Sequence, residues 1–100
     1  MSETGWEIST RVAFVVSSPD RVMALNLDRP DQRPLALLGT AAAIWLQLTN
    51  ADGERLVGGA SERYVVSALA RAFGQDDDVI AKDVRALLLD MADRGYLVRR

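Results

Sequence analysis

The change from strand-like to helix-like sequence falls within Pro34–Trp45, PLALLGTAAAIW. Pro34 cannot donate a hydrogen bond within a sheet and suits the start of an edge strand, so a third strand is predicted over Leu35–Leu38. A run of four apolar residues is ambiguous by periodicity alone, and the flanking proline and glycine favour the strand. Thr40 is a candidate N-cap for a first helix over Ala41–Leu48. We therefore expect strands before this stretch and helices after it.

The segment before this transition predicts a β-hairpin. Apolar residues, many of them β-branched, alternate from Trp6 to Ser17, and this period of two indicates one half-buried strand. Serine, proline and aspartate at Ser17–Asp20 favour a turn. A second strand is predicted over Val22–Leu27, with one apolar face made of Met23, Leu25 and Leu27. The proline-containing turn Asp28–Pro34 then leads to the third strand.

Helical periodicity dominates the sequence after the loop Asn50–Ala60. Ser61 can cap a second helix that runs through Phe73, and Gly74 follows as a stop. Asp76, Asp77 and Asp78 place negative charge at the positive end of a third helix, which extends to about Arg94. The core stripe of this helix consists of Ile80, Val84, Leu87, Leu88 and Met91. The outline predicts an α+β fold, winged-helix-like, with a three-stranded antiparallel sheet followed by three helices.

The length of 100 residues is that of one ordinary domain, so we expect a single domain over 1–100 with a core at about 6–98. The sequence contains neither cysteine nor histidine, which removes disulfides, zinc sites of the usual type, thiol nucleophiles and imidazole bases. Three consecutive aspartates diverge around a helix start, and this favours a capped helix over a metal site. The chain is therefore expected to be no enzyme and to hold no metal or cofactor.

Charge and hydropathy disfavour two classes of partner. The net charge is −2, from 12 basic and 14 acidic residues, whereas a DNA-binding domain of this size usually carries a basic face. The longest uncharged stretch, Pro34–Asn50, is too polar and too interrupted to cross a bilayer. The N-terminus lacks the basic segment and apolar run of a secretion signal. We expect a cytoplasmic protein without nucleic-acid or membrane partners.

Two features offer a surface to another chain. A third strand at a sheet edge leaves N–H and C=O groups unpaired, and an extended peptide can add to such an edge. On an ideal third helix Leu89 lies about 180° from Ile80, and one flank carries Ala81, Leu88 and Ala92. A single exposed leucine is common, so the helix pattern alone leaves the function open. The same edge could instead pair two copies of the chain in a homodimer.

Three segments in this order along the chain, Leu38–Trp45, Leu69–Gly74 and Asp83–Leu97, together resemble the PqqD-like family. The resemblance covers nearly the whole chain and implies a stand-alone recognition domain for ribosomally made precursor peptides. It implies that the leader segment of such a peptide pairs antiparallel with the third strand and packs against the third helix. A modifying enzyme, such as a leader peptidase, a cyclase or a radical SAM enzyme, would then receive the peptide. The family often has Leu-Asn where this chain has Leu38-Gly39, which could alter the entry into the first helix.

Carried over by position, the resemblance implies two groups of peptide contacts. Those of the third strand are Arg33, Leu35, Ala36, Leu37 and Leu38. Those of the third helix are Ala81, Val84, Arg85, Leu88 and Leu89. Replacing Leu37 or Arg85 with aspartate is accordingly expected to weaken leader binding without unfolding the domain.

The alternative interpretation is a winged-helix transcriptional regulator that binds DNA. Its phosphate contacts would come from four basic side chains, Arg85, Arg94, Arg99 and Arg100. The acidic balance of the chain and the absence of a basic recognition helix count against this interpretation.

Overall fold

A computed structural model describes residues 5–29 and 31–99. Its strands and helices are, in chain order, β1 Gly5–Ile8, β2 Val12–Ser18, β3 Arg21–Asn26, β4 Leu35–Leu38, α1 Thr40–Leu46, β5 Ala60–Ser61, α2 Glu62–Phe73, α3 Asp77–Asp93 and β6 Leu97–Arg99. The strands form two antiparallel sheets, ordered β5-β1-β6 and β2-β3-β4. The predicted α+β fold with three helices is confirmed. The sequence predicts one sheet, whereas the structure has two, because β5 and β6 are not predicted.

The predicted first strand is divided, because the chain turns at residues 9–11 and the two halves join different sheets. The Ser9 hydroxyl accepts a hydrogen bond from the Arg11 N–H (3.1 Å), and the Ser9 carbonyl accepts one from the Val12 N–H (3.1 Å). β1 then pairs with β5 and β6, which come from distant parts of the chain. The apolar alternation resumes in the same parity after the turn, with Thr10 between Ile8 and Val12, so periodicity alone does not detect the turn.

The register of the sheet β2-β3-β4 determines which face of β3 is buried. Val12 is buried on β2 and lies opposite Asn26, and Phe14 lies opposite Ala24. Because opposed residues of antiparallel strands share a face, the buried positions of β3 are the even-numbered ones. They are Val22, Ala24 and Asn26, each at most 2% exposed. The apolar face that the sequence suggested for β3, made of Met23, Leu25 and Leu27, therefore points away from the core.

The helix ends follow the local sequence closely. Ser61 caps α2 by accepting a hydrogen bond from the Tyr64 N–H (3.0 Å), and Gly74 ends the helix with a φ of 64°, as predicted. Thr40 was expected to be the N-cap of α1, but it is the first helical residue, and Gly39 occupies the N-cap position. The positive φ of Gly39 (59°) turns the chain directly from β4 into α1.

One hydrophobic core joins both sheets and all three helices. Trp45 of α1 packs edge-on against Phe14 of β2, with ring centroids 5.5 Å apart. Leu37 enters the same core from β4 and is 4% exposed. The contribution of α3 consists of Ile80, Val84, Leu88 and Met91. The core therefore fixes the inner surfaces of both β4 and α3.

Asn26 connects the end of β3 to the end of α3. Its Nδ2 donates a hydrogen bond to the carbonyl of Arg94 (3.1 Å), in a position where the residue is 2% exposed. Gly95 follows with a φ of 84°, and a Cβ at this position would lie 2.8 Å from Asn26 Nδ2. Glycine is favoured here both by the conformation and by the close contact. The C-terminal end of α3 is thereby held beside the sheet β2-β3-β4.

Burial of Leu37 predicts that Leu37→Asp destabilises the domain, because it places an unpaired charge in the core. We expect a loss of more than about 3 kcal/mol in the free energy of unfolding, measured by urea denaturation. Leu38→Asp is the matched control, because the Leu38 side chain is next along the strand and is 58% exposed. This variant should lose less than about 1 kcal/mol in the free energy of unfolding. Equal destabilisation by the two variants would contradict the assigned facing of β4.

Candidate functional site

Backbone hydrogen bonds of the sheet β2-β3-β4 alternate along each strand, and two of them fix the phase. The Leu27 N–H donates to the carbonyl of Arg11 (2.8 Å) beside β2, and the Gly39 N–H donates to the carbonyl of Asp20 (3.0 Å) beside β4. These pairs continue the registers of the strands. Odd-numbered residues of β3 therefore bond to β2, and even-numbered residues bond to β4.

The alternation leaves one row of backbone groups pointing away from β3 on each side of the sheet. On β4 these are the N–H and C=O groups of Ala36 and Leu38, and on β2 they are those of Phe14 and Val16. Within residues 5–29 and 31–99, no backbone group bonds to either row. Both sides of the sheet are thus open edges, and the prediction that the third strand lies at an edge is confirmed for β4.

The side chains of β4 divide between the core and the surface. Leu37 is buried and Leu35 is half-buried against the core, whereas Arg33, Ala36 and Leu38 are exposed. A peptide beside this strand cannot reach the Leu37 side chain from solvent, which corrects the expectation that Leu37→Asp would affect binding alone. The strand offers a partner its backbone groups at Ala36 and Leu38 and the side chains of these same residues.

The helix residues suggested by sequence lie in three different environments. Val84 and Leu88 are fully buried in the core, so their side chains support α3 from beneath and present no surface to a peptide. This corrects the expectation of direct contacts from these two residues. Leu89 is 39% exposed and faces away from the core. Ala81 is half-buried and lies on the same flank as Arg85.

The flank of α3 that carries Arg85 faces α2. Arg85 Nη1 donates hydrogen bonds to both carboxylate oxygens of Glu62, at 3.1 and 3.0 Å. Glu62 also accepts a hydrogen bond from the Trp6 indole N–H (3.3 Å). Near the other end of the helix pair, the Ser67 hydroxyl donates to Asp77 (3.4 Å). Arg85 is therefore engaged at the α2–α3 interface, and no local sequence pattern predicts this partner.

The opposite flank of α3 is turned away from α2. At 100° per residue it carries Asp83, Leu87 and Asp90. Leu87 is half-buried and packs against the core, while both aspartates are exposed. This flank is apolar near the core and acidic toward solvent.

The edge of β2 is partly covered by the loop that follows α1. Arg55 donates a hydrogen bond through Nη2 to the carbonyl of Val12. This outward-pointing carbonyl of β2 is therefore already bonded. A cavity of about 360 Å³ lies between Phe14 and the loop at Gly53. The loop, whose role the sequence left unassigned, thus narrows access to one end of this edge.

Three of the four arginines considered as phosphate contacts have local partners. Arg85 pairs with Glu62 (3.0 Å) and Arg94 with Asp90 (3.3 Å). The guanidinium of Arg99 lies 5.4 Å from the centre of the Trp6 ring. Arg100 lies outside the described residues.

The described residues include no group of three candidate metal ligands and no helix that could span a membrane. In the ranges 5–29 and 31–99, no three acidic side chains converge as candidate metal ligands. None of the helices in those ranges combines the length and the apolar character needed to cross a membrane.

Comparison with known proteins identifies one family. A family model described as coenzyme PQQ synthesis protein D (PqqD) matches residues 15–97. A protein of Bradyrhizobium diazoefficiens described as PqqA binding protein is 35% identical over 88 residues, which cover 88% of this chain and 66% of that relative. This chain thus spans just under two thirds of the length of the relative. No solved structure matches the chain, so the winged-helix-like arrangement stays a prediction.

The two open edges predict a pattern of amide hydrogen exchange in the free protein. The Ala36 and Leu38 amides point away from the sheet and should exchange at least about tenfold faster than the Leu37 amide, which bonds to β3. On β2, Val16 should likewise exchange faster than Val15. Residue-resolved exchange followed by NMR would measure this pattern. Slow exchange at both Ala36 and Leu38 would contradict the open edge of β4.

Proposed function

Because the chain belongs to the PqqD family, we propose that it binds the leader segment of a ribosomally made precursor peptide and presents it to a modifying enzyme. The peptide would be of the PqqA type, since a relative is described as a PqqA binding protein. The observation that carries the proposal is the row of unpaired backbone groups on β4, at Ala36 and Leu38.

An extended leader would add to β4 as a fourth antiparallel strand. The N–H and C=O groups of Ala36 and Leu38 supply four hydrogen bonds, each with a net value of about 0.5–1.5 kcal/mol. Burial of two apolar leader side chains adds roughly 1.5–3 kcal/mol each. Ordering a flexible peptide takes back about 2–5 kcal/mol, and the loss of overall motion takes more. The remainder suits reversible binding, as the transfer of a peptide to an enzyme requires.

The edge of β4 suits this role better than the edge of β2. At β2, Arg55 already occupies the Val12 carbonyl, and the neighbouring loop narrows the approach. At β4 the adjoining side chains of Ala36 and Leu38 are exposed. A strand can therefore approach both outward residues of β4 without displacing a side chain that is bonded to the edge.

On the helix side, we place the leader against the flank of α3 that carries Asp83 and Leu87. The other flank is taken by α2 through the Arg85–Glu62 pair. Asn26 holds the end of α3 beside the sheet to which the leader would add. A leader side chain opposite Leu37 points toward the core side of the sheet, the side on which Leu35 is half-buried against the core. The proposal thus retains α3 as one wall of the groove and replaces the flank expected from sequence.

The proposed role involves no chemistry by this chain. Without histidine or cysteine, it offers neither an imidazole base nor a thiol nucleophile. Its contribution would be to hold the leader extended and so to keep the modifiable part of the precursor near an enzyme. Such tethering raises the local concentration of substrate without any contact to the reacting atoms.

Removing one outward N–H from β4 tests the proposed edge. Ala36→Pro deletes a group that makes no bond within the sheet, so the domain should stay folded. Binding of a synthetic PqqA peptide, measured by isothermal titration calorimetry, should weaken at least about tenfold, because the proline removes a bond and blocks close approach of the added strand.

Val16→Pro is the matched control, since it removes an outward N–H from the opposite edge of the same sheet. Circular dichroism would verify that both variants fold. We expect unchanged PqqA binding by Val16→Pro. Loss of binding in this variant but not in Ala36→Pro would move the site to β2, and absence of PqqA binding by the unaltered protein would refute the proposed function.

A further inference from the structure

The outer face of the sheet β2-β3-β4, which points away from the core, is mostly apolar, with Arg21 and Ser18 as polar positions at one end. Its apolar positions are Ala13, Val15, Met23, Leu25, Ala36 and Leu38. Val15 is 65% exposed and Leu38 is 58% exposed. The solvent-facing side of an antiparallel sheet usually carries polar residues. The apolar residues on this face therefore indicate contact with another chain.

The register makes this outer face continuous across the sheet. Val15 lies opposite Met23, and Met23 lies opposite Ala36, so one row of side chains runs from β2 to the open edge of β4. Leu38 is two residues beyond Ala36 on the same strand and projects from the same face. The small Ala36 side chain lies beside the longer side chains of Met23 and Leu38, so we expect a hollow at this position of the edge.

The outer face alone is small for a stable interface between two copies of the chain. Its three strands lie about 4.8 Å apart and have seven, six and four residues rising about 3.4 Å each, so they span roughly 280 Å². A stable protein interface buries about 800 Å² on each partner. The face suits a smaller occupant, and the hollow lies where a strand added to β4 would bring a side chain.

We infer that Ala36 determines specificity for the leader, by accepting a large apolar side chain into the hollow on the outer face. The leader residue that exchanges hydrogen bonds with Ala36 must project from the same face as Ala36, with its Cα about 5.5 Å away. A long aliphatic or aromatic side chain at that leader position reaches over Ala36 toward Met23. The recognised leader segment would then be apolar on both faces, since the neighbouring leader residue points to the groove beside α3.

This inference rests on the proposed leader binding at β4 and adds a side-chain requirement to it. NMR contacts from the Ala36 methyl group would first identify the PqqA residue that lies opposite. We expect a large apolar residue there. A glycine, an alanine or a charged residue at that position would overturn the inference while leaving strand addition intact.

A reciprocal exchange of size provides the decisive test. Ala36→Leu fills the hollow and should weaken binding of unaltered PqqA about tenfold, because the two large side chains collide. Truncating the opposed PqqA residue to alanine should weaken binding to the unaltered protein by a similar factor. Ala36→Leu should bind the truncated peptide at least about fivefold more tightly than the product of the two separate losses predicts. The reason is that the smaller peptide side chain removes the collision with the introduced leucine.

The control is Ala13→Leu, the same substitution on the same face, on β2 rather than at the β4 edge. Its affinity for both PqqA peptides should equal that of the unaltered protein. Additive effects of Ala36→Leu and the truncated peptide would overturn the inference, provided that unaltered PqqA binds. Failure of PqqA to bind any form of the protein would instead refute the proposed function on which the inference rests.

Discussion

The alternation of hydrogen bonds along the central strand β3 is the constraint on which the accessible surfaces of this domain depend. Each residue of an antiparallel strand directs its N–H and C=O groups to one side only. Because Leu27 bonds toward β2 and Asp20 bonds toward β4, every backbone group along β3 is assigned to one of its two neighbours. The alternation in β3 also fixes the bonding of the outer strands. On β4, the backbone groups of Leu35 and Leu37 bond to β3, and those of Ala36 and Leu38 point outward, where a second chain could bond to them.

The same register couples the backbone pattern to the side-chain pattern. On β4 the residues that bond to β3 are also the residues whose side chains point inward, so Leu37 is both paired and buried. The residues with open backbone groups carry outward side chains. A strand that adds to this edge must therefore meet the side chains of Ala36 and Leu38 at the positions where it forms its hydrogen bonds. In the proposed binding mode, affinity from the backbone and selectivity from side chains would therefore arise at the same two residues.

Much of the fold could be predicted from local sequence, because caps, turns and helical periodicity act over a few residues. Ser61 and Gly74 bound α2 as expected, and the segment after Pro34 forms an edge strand. The face of β3 could not be predicted, since apolar residues occupy both parities of that strand and only the register with β2 selects Ala24 over Met23. The short strands β5 and β6 depend on pairing with β1 across the length of the chain, which no local pattern encodes.

The candidate site shows the same division between local and tertiary information. Its strand was found from composition and a flanking proline, but the flank of α3 was not, because α3 has apolar or small residues on more than one side. The structure shows that one flank faces α2, where Arg85 pairs with Glu62. An acidic residue at the start of the preceding helix thus marks the flank of α3 that packs against α2. The proposed groove would consequently be a tertiary property, whereas the edge strand beside it is predictable from the transition from Pro34 to Thr40.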